Sequence, residues 1–249
     1  MSDLLNFTLR EMTECSSVLR NLGAGAASME ETATRIVRYL YDHLRDPQTG
    51  QRSCALVRCY KTHPFGELDA GLQDFARALL GDHPESPTMS CLTLLATVGD
   101  RPEWNSRATS RRHKAIPLPS ESVITQFPMI SQLVNQFGLE VSALLKPDPA
   151  LMVDIAQKTY NVFYVPEAAG SPYIPAQEDF VKPLGIASAL GFGGLLPCGS
   201  LFAIILFAKT HIPHETAELF RTLALSAKIA LLPFVGAAVF GEPGGRSSA

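Results

Sequence analysis

Between Arg107 and Lys114 the sequence Arg-Ala-Thr-Ser-Arg-Arg-His-Lys gathers four positive charges into eight residues, with His113 among them and Trp104 just upstream. Planar guanidinium groups grip carboxylates and phosphates through paired donors, and an indole face stacks on aromatic groups or cations. Trp104, Arg111, Arg112 and His113 therefore form a candidate polar anchor for an anionic or aromatic ligand. The competing account is a solvated loop with no partner, because charge runs commonly serve only as surface. Phe163, Tyr164 and Tyr173, with Glu167 and Glu178 nearby, make a second candidate. Enclosed pockets are walled by aromatics with a few polar groups, although a loop packed on a core explains aromatics equally well.

The five cysteines, Cys15, Cys54, Cys59, Cys91 and Cys198, are scattered and include no Cys-x-x-Cys pair. That pattern argues against a disulfide framework and a structural zinc site, and it fits a reducing cytosol. Cys198 is the candidate redox thiol, whereas packing as small hydrophobes accounts for Cys54, Cys59 and Cys91. His211 and His214 flank Ile212-Pro213 without a third ligand at short spacing, so no metal is expected. No Gly-x-Ser-x-Gly elbow, phosphate-binding glycine loop or His-Glu-x-x-His helix occurs. Gly191-Phe-Gly-Gly194 precedes a strand hairpin and offers no helix N-terminus to a phosphate. No catalytic residue is assigned and no cofactor is identified; the expectation is a binder more than an enzyme.

The elements that must position these residues follow from periodicity. Leu5, Met12 and Leu19, seven apart, place an amphipathic helix over Leu4 to Leu22, ended by Gly23-Ala24-Gly25. Ser28 with Glu31 is a capping-box signature for a second helix with an apolar face of Ile36, Val37, Leu40, Tyr41 and Leu44. Strands are expected over Cys54 to Tyr60, Ser90 to Thr97, Asn161 to Val165, Ile186 to Leu195 and Leu201 to Ala208, the last the most buried. Arg58 is the one charge in the first of these, and it is placed near an edge or loop. A short helix fits Leu72 to Leu80. Gly99 to Pro119 reads as a long loop, and Pro128 splits or kinks a helix between Ser120 and Phe137. After a Pro-rich connection, an irregular stretch runs from the fourth strand to about Pro183. A final helix begins near Pro213 and runs to Leu232, with small residues Ala217, Ala224, Ala227 and Ala230 suited to close packing.

Hydrophobic residues make up 46% of the 249 and charged residues 18%, enough apolar surface for one folded core, so the class is a single α+β domain. The formal charge of −3 implies no field for nucleic acid, which is not expected as a partner. No secretory signal and no bilayer-spanning run is evident, so membrane insertion is not expected and the location read from the sequence is cytoplasmic. The organisation is a helix over residues 1–27 with a dimerisation role, a domain over 28–234 and a flexible tail over 235–249.

The stretch from Gly185-Ile-Ala-Ser-Ala-Leu-Gly-Phe through Leu201-Phe-Ala-Ile-Ile-Leu-Phe to His214-Glu-Thr-Ala-Glu-Leu-Phe resembles the closing part of a GAF domain. The resemblance, strongest over residues 185–232, implies a GAF/PAS-like fold: a central antiparallel sheet of about five or six strands backed by N- and C-terminal helices. It implies a sensory module of signal transduction, a homodimer, a small-molecule ligand held between the sheet and its connecting loops, and a downstream signalling domain or protein. None of the cysteines is followed by His, which disfavours the covalent chromophore of phytochrome-like members. The alternative is a thiol-based redox enzyme or sensor similar to the GAF-fold methionine sulfoxide reductases, with Cys198 as its thiol. The ligand is expected against Trp104, Arg111, Arg112, His113, Phe163, Tyr164 and Tyr173. The homodimer is expected to use Leu5, Met12 and Leu19 with the alanine face of the last helix.

Overall fold

The computed structural model describes residues 1–139, 141, 145, 161–237 and 239–241. Most of the Pro-rich connection before the fourth strand, and the tail beyond Gly241, lie outside the described residues.

Six strands form one antiparallel sheet: β1 (Cys54–Pro64), β2 (Ser90–Gly99), β3 (Ala115–Leu118), β4 (Asn161–Val165), β5 (Ser188–Leu195) and β6 (Leu201–Ala208), in the order β3-β2-β1-β6-β5-β4. The helices are α1 (Leu9–Asn21), α2 (Met29–His43), α3 (Ala70–Leu80), α4 (Glu121–Ile124), α5 (Pro128–Gln136) and α6 (His214–Leu231). The chain is α+β, with its N- and C-terminal helices flanking the sheet, as the sequence implied.

Alternation along each strand sends neighbouring side chains to opposite faces, and each face has its own core. On one, Val57, Cys59, Phe192, Ile204 and Leu206 pack under α1, α2 and α6. On the other, Leu56, Tyr60, Leu94, Phe163 and Ile205 pack under α4, α5 and the loops that join the strands. Every residue of β2, β5 and β6 is buried, the signature of strands covered on both sides.

Several local expectations are corrected. Helix α1 starts at Leu9, not Leu4, because Thr8 and Glu11 form a reciprocal capping box. β3 lies inside the stretch expected to be a loop; it is four residues long, and Pro117, which lacks an amide, hides it from pattern reading. Pro128 splits the helical stretch as expected: it begins α5 at the first turn, where no amide is needed, and leaves two short helices. Arg58 is not near an edge, although its side chain does reach the loop, at Ser110 and Arg112. It lies mid-strand in β1, between β2 and β6, with only 6% of its surface exposed.

The seam on α1 is occupied within the chain. Leu19 is fully buried, Met12 packs against the same core, and Ala217, Ala224, Ala227 and Ala230 of α6 are buried there too. Phe7 meets Phe220 with ring centroids 5.3 Å apart, and a Cβ on Gly23 would lie 2.3 Å from the Ala230 carbonyl oxygen. Only Leu5 of the expected dimer seam is exposed, at 46%. Part of the expected tail is docked as well: Val239 and Phe240 pack on buried residues, the Val239 carbonyl accepts from the Glu30 amide, and the Gly241 amide donates to the Glu30 carboxylate.

Candidate functional site

On the face away from α1 and α6, the second core borders a partly open cavity of about 670 Å³. That volume falls in the range of small-molecule sites. Its floor is the sheet, through Leu56, Arg58 and Tyr60 of β1 and Ala203, Ile205 and Phe207 of β6. One wall is α5, through Pro128, Met129, Ile130 and Leu133. The other walls are the two connections, 101–113 and 173–180, which contribute Trp104, Arg111, Arg112 and His113 from one side and Tyr173, Asp179 and Phe180 from the other.

The two connections touch. The Arg112 guanidinium donates to the Asp179 carboxylate at 2.8 Å, and Trp104 meets Phe180 edge to face at 5.8 Å, which in turn meets Phe207 at 4.9 Å. Arg101 lies over the Trp104 ring, 5.0 Å from its centroid. Trp104 can rest on the end of β2 because residue 99 is glycine: a Cβ there would sit 2.7 Å from the indole and 2.8 Å from the Ala55 carbonyl oxygen.

Arg58 is the polar group at the floor. It donates to the Tyr60 hydroxyl at 3.1 Å, to the Ser110 hydroxyl at 3.1 Å and to the Arg112 carbonyl at 3.4 Å. All three acceptors are neutral, and its Nε is buried with no hydrogen-bond partner among the described residues. Thr97 stands directly opposite Arg58 in the β1–β2 register, and its hydroxyl is likewise buried and unpartnered. A buried guanidinium without a carboxylate is costly, and an unmade bond adds to the cost.

His113 stands at the mouth in a left-handed conformation, φ 59°, which turns the chain so that the Arg112 carbonyl faces inward to Arg58. Crowding by protein atoms, then the guanidiniums of Arg58 and Arg112, push this histidine down to about 4, although the residue keeps solvent contact. At neutral pH its ring is uncharged, with one donor and one acceptor nitrogen.

Of the seven candidate ligand-binding residues, Trp104, Arg111, Arg112, His113 and Tyr173 line the cavity. Phe163 and Tyr164 do not. Phe163 is fully buried on the same face, against Gly191, where it supports the core without reaching the cavity lining. Tyr164, the next residue, points to the other face, donates its hydroxyl hydrogen to the Ile212 carbonyl, and borders a smaller cavity of about 250 Å³ beside His214. Glu167 lies 3.8 Å from His211, and Glu178 pairs with Lys182. Arg58 and Tyr60 escaped the sequence reading, although a charge at the middle of an apolar run, in phase with Leu56 and Tyr60, marks a buried position facing one side of the sheet.

The thiols are all free. Burial pushes Cys54, Cys59 and Cys91 up to about 12, so they are protonated and unreactive. Cys198 is exposed in the β5–β6 turn, 3.4 Å from the Ser200 hydroxyl. Among the described residues no cluster of three or more His, Cys, Asp or Glu side chains could hold a metal ion, and no helix is long and apolar enough to cross a membrane.

The architecture and site thus define a six-stranded antiparallel sheet that carries α1, α2 and α6 on one face and, on the other, an arginine-floored cavity walled by α5 and two loops. No protein-family model and no curated protein matches this chain.

Proposed function

We propose that this chain is a GAF-like sensory domain that acts in the cytoplasm by binding a small molecule between the sheet and the connections 101–113 and 173–180. The observation that carries the reading is the cavity of about 670 Å³, open at its mouth, with apolar walls and a single buried cation at its floor. The antiparallel sheet and the flanking terminal helices support the family resemblance, since both are what it implies.

The output follows from the way the walls are built. Two loops distant in sequence meet across the cavity through Arg112–Asp179 and Trp104–Phe180, so a ligand touching both biases their relative position. The 101–113 connection also reaches the helical layer: Arg107 is paired with Glu30 at the start of α2 and stacks on Phe240. A shift of this loop is thereby passed to the terminal helices, where a homodimer partner or a downstream signalling domain would read it.

Native mass spectrometry of the freshly purified chain tests the proposal. A small molecule retained under native conditions and lost on denaturation is the expected result. The bare mass alone, together with no rise in melting temperature in a concentrated small-molecule extract of the producing cells, contradicts it.

A further inference from the structure

We infer that the cavity is built for an organic anion: a carboxylate head held on Arg58 and an apolar, ring-containing body lying against Trp104, Phe180 and Phe207. This inference rests on the proposed ligand-binding role of the cavity and names the chemistry of its ligand.

The head group follows from what Arg58 lacks. It is 6% exposed, carries its charge at any working pH, and among the described residues has no carboxylate partner. Tyr60, Ser110 and the Arg112 carbonyl take three of its five hydrogens, leaving the Nε hydrogen and one Nη2 hydrogen without an acceptor among the described residues. Burial of such a cation is compensated best by an anion accepting a charge-assisted hydrogen bond. Thr97, opposite in register and also unpartnered, offers a hydroxyl on the same face. The acids of the lining, Glu103 and Asp179, belong to the outer connections; Asp179 is bound to Arg112, and neither is paired with Arg58. A cationic ligand would therefore meet Arg58 at the floor, while an anionic one meets a complement.

The body follows from the walls. Around Arg58 the floor is Leu56, Ile205 and Phe207, and the edge-to-face series Trp104–Phe180–Phe207 presents ring faces and edges suited to another ring. Such a surface rejects a compact inorganic anion, which would leave most of it unfilled by contacts.

Trp104 is the single tryptophan of the chain and lines the cavity, so its fluorescence reports occupancy without a label. The test titrates the full chain with 6-phenylhexanoate, 6-phenylhexan-1-ol and 6-phenylhexylamine, which share a body and differ in the head, and repeats the acid with Arg58→Gln. The acid should bind about 10- to 100-fold more tightly than the alcohol, and Arg58→Gln should remove that advantage. Equal binding of acid and alcohol overturns the anion assignment while leaving the cavity as a ligand site. Tightest binding by the amine overturns it in favour of Glu103 and Asp179. No response to any of the three overturns both the assignment and the proposed role of the cavity. Should Arg58→Gln fail to fold, the comparison of the three heads on the unaltered protein decides alone.

Discussion

The Arg58 guanidinium donates to the Tyr60 hydroxyl at 3.1 Å, two residues along the same strand and on the same face of the sheet. The pair fixes the direction of the cation at the cavity floor. Both side chains are more than nine-tenths buried, so removing the acceptor leaves another donor unmatched. Tyr60→Phe should lower stability by about 1–3 kcal/mol in urea unfolding, with the far-ultraviolet circular dichroism unchanged. A loss within a few tenths of a kcal/mol of zero would mean that the pair is not needed to hold Arg58.

The arginines at the mouth should matter less than the one at the floor. The Arg112 side chain is 71% exposed and already paired with Asp179, itself 57% exposed, an arrangement worth about 0–1 kcal/mol. Arg111 is exposed as well. The double change Arg111→Ala, Arg112→Ala should weaken binding of 6-phenylhexanoate less than Arg58→Gln does, and its effect should fade as salt is raised. A double variant that loses as much as Arg58→Gln at high salt would move the anchor to the mouth.

Leu19 is buried between α1 and α6, so truncating it opens a cavity in the chain's own core. Leu19→Ala should cost about 2–5 kcal/mol, measured by denaturant midpoint, whatever the association state. A variant of unaltered stability with altered mass in light scattering would instead assign this seam to a partner.

Acid should destabilise the fold through His63. Its Nδ1 lies 3.2 Å from the Lys61 carbonyl, while Nε2 is buried with no hydrogen-bond partner among the described residues; burial first, then Lys61 and Arg107, push it down to about 3. The unfolded chain takes up this proton near 6.5 and the folded chain only near 3, so the associated stability is complete above about pH 6.5 and is lost as pH falls through that window. Between pH 7.5 and pH 5 the unfolding free energy should drop by roughly 1–2 kcal/mol more in the natural chain than in His63→Gln. An identical pH slope in the two proteins would remove His63 from the account.

All the strands but β3 were legible because continuous apolar runs such as Phe202–Phe207 have few alternatives to burial in a sheet. Most of the cavity mouth was legible for a different reason, since Trp104, Arg111, Arg112, His113 and Tyr173 sit in long irregular connections that a compact chain rarely keeps without use. Phe163 and Tyr164 show where the reading failed: adjacent residues of one strand point to opposite faces and cannot both border one cavity. Arg58 was misplaced because a lone charge in a strand suggests an edge, whereas the acceptors that hold it, Ser110 and the Arg112 carbonyl, come from a loop 52 and 54 residues away in sequence. Such long-range satisfaction is invisible to local pattern.

The most direct test watches the Arg58 Nε–H itself by nitrogen-15 nuclear magnetic resonance, assigned through its loss in Arg58→Gln. Addition of 6-phenylhexanoate should move this resonance as the guanidinium gains an anionic acceptor, while 6-phenylhexan-1-ol should leave it near its starting position. An Arg58 signal unchanged at saturating acid, with shifts confined to Tyr164 and α6 on the opposite face, would contradict the account.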